Sequence, residues 1–131
     1  MEEGLRNMHY EMKENVIVDR SKAFALRVIK GYQFLQNDKK EYVLSKQLLR
    51  SGTSIGANVK EAVRGQSKAD FYAKMCISLK EASETEYWLE LLYESGYMDE
   101  ITFKSIYADC QELIKILVAI TKHKAELIRN A

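Results

Sequence analysis

Proline is absent from all 131 residues. Nothing in the composition therefore breaks a backbone hydrogen-bond ladder, and an all-helical chain becomes the default expectation. Cysteine is scarce: Cys76 and Cys110 stand far apart without a C-x-x-C spacing. That excludes a disulfide framework and reads as buried thiols in a reducing cytoplasm. Histidine occurs only at 9 and 123. A carboxylate-bridged metal pair in a helical bundle needs Glu-x-x-His on two helices, and the residues three before these histidines are Arg6 and Ile120. Long apolar runs are missing too, the longest being Ile116–Ile120, far short of a membrane span. The N-terminal MEEGLRNMHYEMKEN lacks the basic-then-apolar layout of a signal peptide. The expectation is a cytoplasmic protein with no membrane segment.

Excess charge of one sign is also missing, since the formal net charge is +1. Its layout is uneven, however. Residues 1–70 hold 13 Lys/Arg against 9 Asp/Glu, and residues 71–131 hold 7 against 10. Opposed halves of this kind suit docking of one subunit on another at least as well as RNA binding.

What is present is helical periodicity. Residues 1–16 read as a loose polar leader, and residues 17–131 as a single domain. Phe24, Ala25, Val28, Ile29, Tyr32 and Leu35 recur at three and four and predict a first helix ending near Asn37. Asp38-Lys39-Lys40-Glu41 has the form of a capping box, so a second helix is expected from Lys39 to about Arg64. Its core stripe is Leu44, Leu48, Ile55, Val59 and Ala62, with Gly52 in the series. Ser67 and Asp70 cap a third helix with Phe71, Met75, Leu79, Ala82, Leu89 and Leu92 inward. Gly96 stops it. Asp99 caps a fourth, with Phe103, Tyr107, Cys110, Ile114, Leu117 and Thr121 inward. Connections this short make neighbours antiparallel. The predicted fold is all-α, an up-down-up-down four-helix bundle.

The second helix carries two further stripes. Gln47, Ser51, Ser54, Asn58 and Glu61 form a polar one; Lys46, Arg50, Thr53, Ala57, Lys60 and Arg64 form a mostly basic one, with Lys68 just beyond the turn. With the turn centred near residues 67–68, Ser54 lies level with Glu81, Ser51 with Glu84 and Gln47 with Trp88. The expectation is a polar seam in which Glu81 and Glu84 accept hydrogen bonds from the hydroxyls and from Arg50, because buried carboxylates require such partners. Gly52-x-x-x-Gly56 permits close backbone approach, inside the bundle or between subunits; equally, the glycines make room for Tyr or Trp rings. Tyr72, Tyr87, Trp88, Tyr93, Tyr97 and Tyr107 read as core or interface, with base stacking as the sharper alternative.

Catalytic chemistry is not legible. Ser51 and Ser54 have no histidine base within helical reach, and S-G-T-S-I-G-A-N lacks the G-K-[ST] ending of a phosphate loop. The expectation is a non-enzymatic protein with no cofactor and no metal.

The strings Q-L-L-R-S-G-T-S-I-G-A-N-V-K-E-A (47–62), S-K-A-D-F (67–71) and L-K-E-A-S-E-T-E-Y-W-L (79–89), with S-K-A-F-A (21–25) upstream, resemble the bacterial four-helix-bundle family of 23S rRNA intervening-sequence proteins. The likeness spans about residues 17–120. It implies a ring-shaped homo-oligomer, typically a homopentamer with a central channel. Some members lie within insertions in ribosomal RNA genes, and a related branch assists a reverse transcriptase through a basic surface that meets nucleic acid. Gln47, Arg50, Ser51, Ser54, Asn58, Glu61, Asp70, Lys80, Glu81, Glu84 and Trp88 match the motif, and the resemblance implies that they serve structure and assembly.

Three functions follow for testing. The first is an oligomeric RNA- or ribonucleoprotein-associated protein using Lys22, Arg27, Lys30, Lys46, Arg50, Lys60, Arg64 and Lys68, which requires a continuous exposed basic patch. The second is a protein–protein scaffold recruiting a factor such as a reverse transcriptase, which requires a leftover apolar surface. The third is an enzyme or metal carrier.

Overall fold

The computed structural model describes residues 2–130 and holds four helices: α1 (Glu2–Asn37), α2 (Leu44–Val63), α3 (Lys68–Glu94) and α4 (Glu100–Asn130). Packing is sequential, α1 on α2, α2 on α3, α3 on α4, and α4 closes back on α1. Partner numbers fall on one helix as they rise on the next. Arg50 meets Glu84 and Glu61 meets Lys74 across α2 and α3, while Arg20 meets Glu112 and Arg27 meets Asp109 across α1 and α4. Every adjacent pair is therefore antiparallel, as the short connections require.

The first helix is longer than expected. It begins at Glu2 and runs through the stretch read as a loose leader, because nothing between Glu2 and Ile17 stops a helix once its C-terminal part is docked. Glu14 meets Lys124 at 3.4 Å, and Ile17 is fully buried.

The second helix is shorter than expected, and Asp38 does not cap it. Lys40 sits at φ 55°, outside helical space, and breaks the chain between α1 and α2. Glu41 takes over the capping. Its carboxylate accepts from the backbone N–H of Ser45 at 2.7 Å and of Val43 at 3.3 Å. The Ser45 hydroxyl donates back to the Glu41 carbonyl at 2.7 Å. Burial would push the Glu41 carboxyl up, but the N–H groups of Ser45, Leu44 and Val43 hold it below its ordinary value.

Both later caps follow the sequence. The Ser67 hydroxyl accepts from Asp70 N at 3.0 Å. Gly96 adopts φ 88°, with Gly96 N donating to Tyr93 O and Tyr97 N to Leu92 O, the paired bonds of a glycine-terminated helix. Asp99 Oδ1 then accepts from Thr102 N at 2.8 Å.

The core contains Ile17, Phe24, Val28, Leu35, Leu48, Ile55, Val59, Met75, Leu89, Leu92, Leu113, Leu117 and Ile120. On α4 the buried stripe is Ile106, Cys110, Leu113, Leu117, Ile120 and Thr121. Phe103, Tyr107 and Ile114, expected inward, lie half-buried on its shoulder. The cause is visible: Phe103 stacks on Tyr93 at 4.3 Å between centroids, and the Tyr107 hydroxyl donates to Glu90 at 2.6 Å. A phenol needs such a partner and stays where one can reach it. Similarly Ile29 is exposed and Ala25, Tyr32, Leu44 and Leu79 are half-buried, while Ser21, Ser45, Ser51, Ser78 and Thr85 are buried.

Candidate nucleic-acid interface

Small residues bring α2 close to both of its neighbours. A Cβ on Gly52 would meet both Val28 methyls at 2.9 Å, and one on Gly56 would meet Ser21 Oγ at 3.3 Å. The glycines thus admit α1 to the bundle, not a Tyr or Trp ring. On the α3 side, Ser51 Oγ and Thr85 Oγ1 lie 2.8 Å apart, Thr85 Oγ1 is also 2.8 Å from Glu81 O, and Ser78 donates to Ile55 O at 2.9 Å. All three hydroxyls are fully buried.

The polar seam expected from the sequence is present in part. Arg50 bridges Glu81 at 3.2 Å and Glu84, and the indole N–H of Trp88 donates to the same Glu84 oxygen at 3.1 Å. Those carboxylate side chains are only 15% and 32% exposed, so they are not splayed into water. The Arg50 guanidinium holds Glu84 below its ordinary value against the upward push of burial, and Trp88 adds to the effect. The hydroxyls, however, do not serve these carboxylates. Ser54 donates to Arg50 O at 2.6 Å, Thr53 to Leu49 O at 2.7 Å, and Asn58 Nδ2 to Ser54 O at 2.8 Å. A hydroxyl on a helix reaches its own preceding turn more readily than a neighbouring helix, and that geometry wins here. Gln47 is exposed, and Glu61 pairs across the helices with Lys74 at 2.8 Å.

The basic stripe divides into two parts. Arg50 is turned to the Glu81–Glu84 pair, so its charge is compensated. Lys46, Lys60, Arg64 and Lys68 are exposed, and no ion pair involves them among the described residues. Lys60 and Arg64 join Lys22 of α1 along a groove of about 550 Å³. Its other lining residues include Ala25, Gly56, Ala57 and Val63, with Asp19 the one carboxylate. The α1–α2 register, which brings Lys22 beside Lys60, is what the α2 periodicity could not supply. Lys46 lies 14 residues from Lys60, about 21 Å along the helix axis. Arg27 is removed from the patch by Asp109 at 2.7 Å and by Ser105 at 2.7 Å.

The opposite face carries other chemistry. Burial pushes the Cys110 thiol up to about 12, with Glu86 and Asp109 adding to it, and its Sγ lies 3.4 Å from Ala82 O. Such a thiol stays protonated near neutrality. Burial and then Glu90 raise Glu86. Among the described residues no group of three His, Cys, Asp or Glu converges as a metal set, and no helix is long and apolar enough to cross a membrane.

Ser78 and Thr85 are the seam residues that the sequence reading passed over. The signal was there: Met75, Ser78, Ala82, Thr85 and Leu89 recur at three and four, but two are polar and were not counted as inward.

Fold and surface together define a small all-helical bundle protein with a cation-lined groove between its first two helices. The chain belongs to the 23S rRNA-intervening sequence protein family, whose model matches residues 13–119. It is also similar to a protein of unknown function from the S23 ribosomal protein family of Bacteroides thetaiotaomicron, known from a 1.70 Å crystal structure. The two share 54% identity with a TM-score of 0.83, over 84% of this chain and 98% of that one. No curated protein matches the chain significantly.

Proposed function

We propose that this protein is a non-enzymatic, self-assembling bundle that associates with RNA or ribonucleoprotein through the α1–α2 face. The observation that carries the reading is the placement of Lys22, Lys60 and Arg64 around one groove with no ion pair among the described residues, on the helix pair whose Arg50 has two. Unpaired cations on a rigid helix pair gain most from phosphate, through release of condensed counterions. Family membership supports the association with ribosomal RNA loci.

Fluorescence anisotropy with a structured ribosomal-RNA fragment, at several salt concentrations, tests it. Micromolar or tighter binding that weakens steeply with salt is expected, reduced by Lys46→Glu with Arg64→Glu. Absence of binding at low salt rejects the reading.

Assembly is part of the same proposal. The family resemblance implies a ring of five, and the reading requires that the groove of Lys22, Lys60 and Arg64 stays open to solvent in that ring. Sedimentation equilibrium is expected to give about five times the 15.2 kDa chain mass. A monomer at micromolar concentration rejects it.

A second reading has its own observation. Phe34, Tyr42, Val43 and Ile101 are exposed apolar side chains, and all four belong to the end of the bundle where α1 ends and α2 and α4 begin. An apolar end of this kind favours a scaffold that recruits another protein, such as a reverse transcriptase. Retained RNA binding in a Val43→Asp, Ile101→Asp variant separates the two surfaces.

A further inference from the structure

Resting on the RNA reading above, we infer that the α1–α2 groove takes paired, A-form RNA in preference to a single strand, holding its phosphates without reading its bases.

Single strands are held by stacking bases on aromatic rings. The groove offers none: its lining is aliphatic, small, hydroxyl-bearing or charged. The exposed rings lie elsewhere, Tyr87 on α3, and Phe34 and Tyr42 near the connection between α1 and α2. Tyr42 precedes Lys60 by 18 residues, about 27 Å at 1.5 Å per residue. A base stacked on that ring is out of reach of the groove cations.

Base edges are read by side-chain donors that are free to reach them. In this groove the two hydroxyls are already committed to their own helices: Ser21 to Val18 O and Thr53 to Leu49 O. What remains are the ammonium groups of Lys22 and Lys60 and the guanidinium of Arg64. These match phosphate oxygens, and the deep, narrow major groove of A-form RNA keeps them from the base edges that such cations otherwise read.

The shape points the same way. Ala25, Gly56 and Ala57 keep the floor low between the two helices, so a ribbon of phosphates can approach the cations. A duplex presents that ribbon preformed and releases more counterion per phosphate neutralised than a single strand, about 0.9 against 0.7 for B-DNA and single strands respectively. A flexible strand must be ordered first, with no ring to hold its bases.

The test is titration of the full-length protein with a 20-base-pair RNA duplex and with its unstructured component strand, at two salt concentrations. The duplex is expected to bind at least about tenfold tighter, and two duplexes of unrelated sequence to agree within about threefold. Lys60→Glu with Arg64→Glu is expected to weaken duplex binding at least about tenfold with an unchanged circular dichroism spectrum. Equal or tighter binding of the single strand overturns the inference and leaves the RNA reading standing. So do duplexes that differ by more than about tenfold. A double variant that binds as well as the parent overturns the groove as the binding site, and with it the RNA reading placed on the α1–α2 face. Failure of both duplex and strand to bind at low salt overturns the RNA reading as well.

Discussion

Valine at position 52 is expected to destabilise the protein by about 3 kcal/mol, near the upper end of what overpacking a core costs. The space is already occupied. A Cβ alone would stand 2.9 Å from both Val28 methyls and 3.3 Å from Val28 Cβ, and Val28 is fully buried. A β-branched neighbour is stiff at χ1 and cannot rotate away, so the backbones must separate. Replacing a helical glycine returns only some tenths of a kcal/mol for valine and about 1 kcal/mol for alanine, which does not offset the clash.

Gly52→Ala combined with Val28→Ala makes the cause testable. The double variant is expected to be more stable than the two single effects predict together, by about 1 kcal/mol or more, because the truncated Val28 vacates the colliding volume. Chemical denaturation of the four proteins measures it. Simple additivity would mean that Gly52 is needed for something other than room for Val28. Gly56→Ala provides the contrast. Its Cβ would meet Ser21 Oγ at 3.3 Å and the Ser21 carbonyl at 3.4 Å, so gain and crowding nearly cancel.

Truncation of the α2 cap is the second large effect. Glu41→Ala is expected to lower stability by about 2–3 kcal/mol, the range for removing a charged acceptor from buried donors. Ser45 N, in a fully buried residue, loses its partner where water reaches poorly, whereas Val43 N, the longer contact, belongs to an exposed residue. Glu41→Gln keeps an acceptor oxygen and should fall between.

The pH dependence carries the sign. The folded carboxyl sits below its ordinary 4.5, so its contribution is complete above that value and fades as pH falls through the folded one. The stability gap between wild type and Glu41→Gln should therefore stay level near neutrality and narrow in acid. A gap that widens on acidification would show that Glu41 is not held ionised by these N–H groups.

Much of the candidate site was legible because helical spacing is a local property. Lys46, Arg50, Lys60 and Arg64 share a face of α2 for any helix with 3.6 residues per turn, and the antiparallel register puts Arg50 beside Glu81 and Glu84. The choice of hydrogen-bond partner was not legible. Ser54 had both a cross-helix carboxylate and an own-helix carbonyl to choose from, and only distance decides between them.

The caps show the same division. Ser67 with Asp70, and Gly96 before Asp99, are short-range signals whose outcome depends on a few neighbouring backbone groups, and they came out as read. Asp38 and Glu41 offered two capping solutions within one stretch. Tertiary packing chose Glu41, because docking Leu35 and Leu48 in one core leaves the chain between them too little length to stay helical through Lys40.

By itself, then, the sequence determined four antiparallel helices and the cation face of α2, since each follows from periodicity, chain length or the absence of proline; that Gly52 makes room for Val28 of α1 was decided by packing. Only the tertiary structure decided which cations meet a carboxylate. Arg27 and Arg50 are neutralised by carboxylates 82 and 34 residues away, whereas Lys22, Lys60 and Arg64 meet across a groove. Charge compensation depends on distance in space, and distance in space is set by how the helices pack.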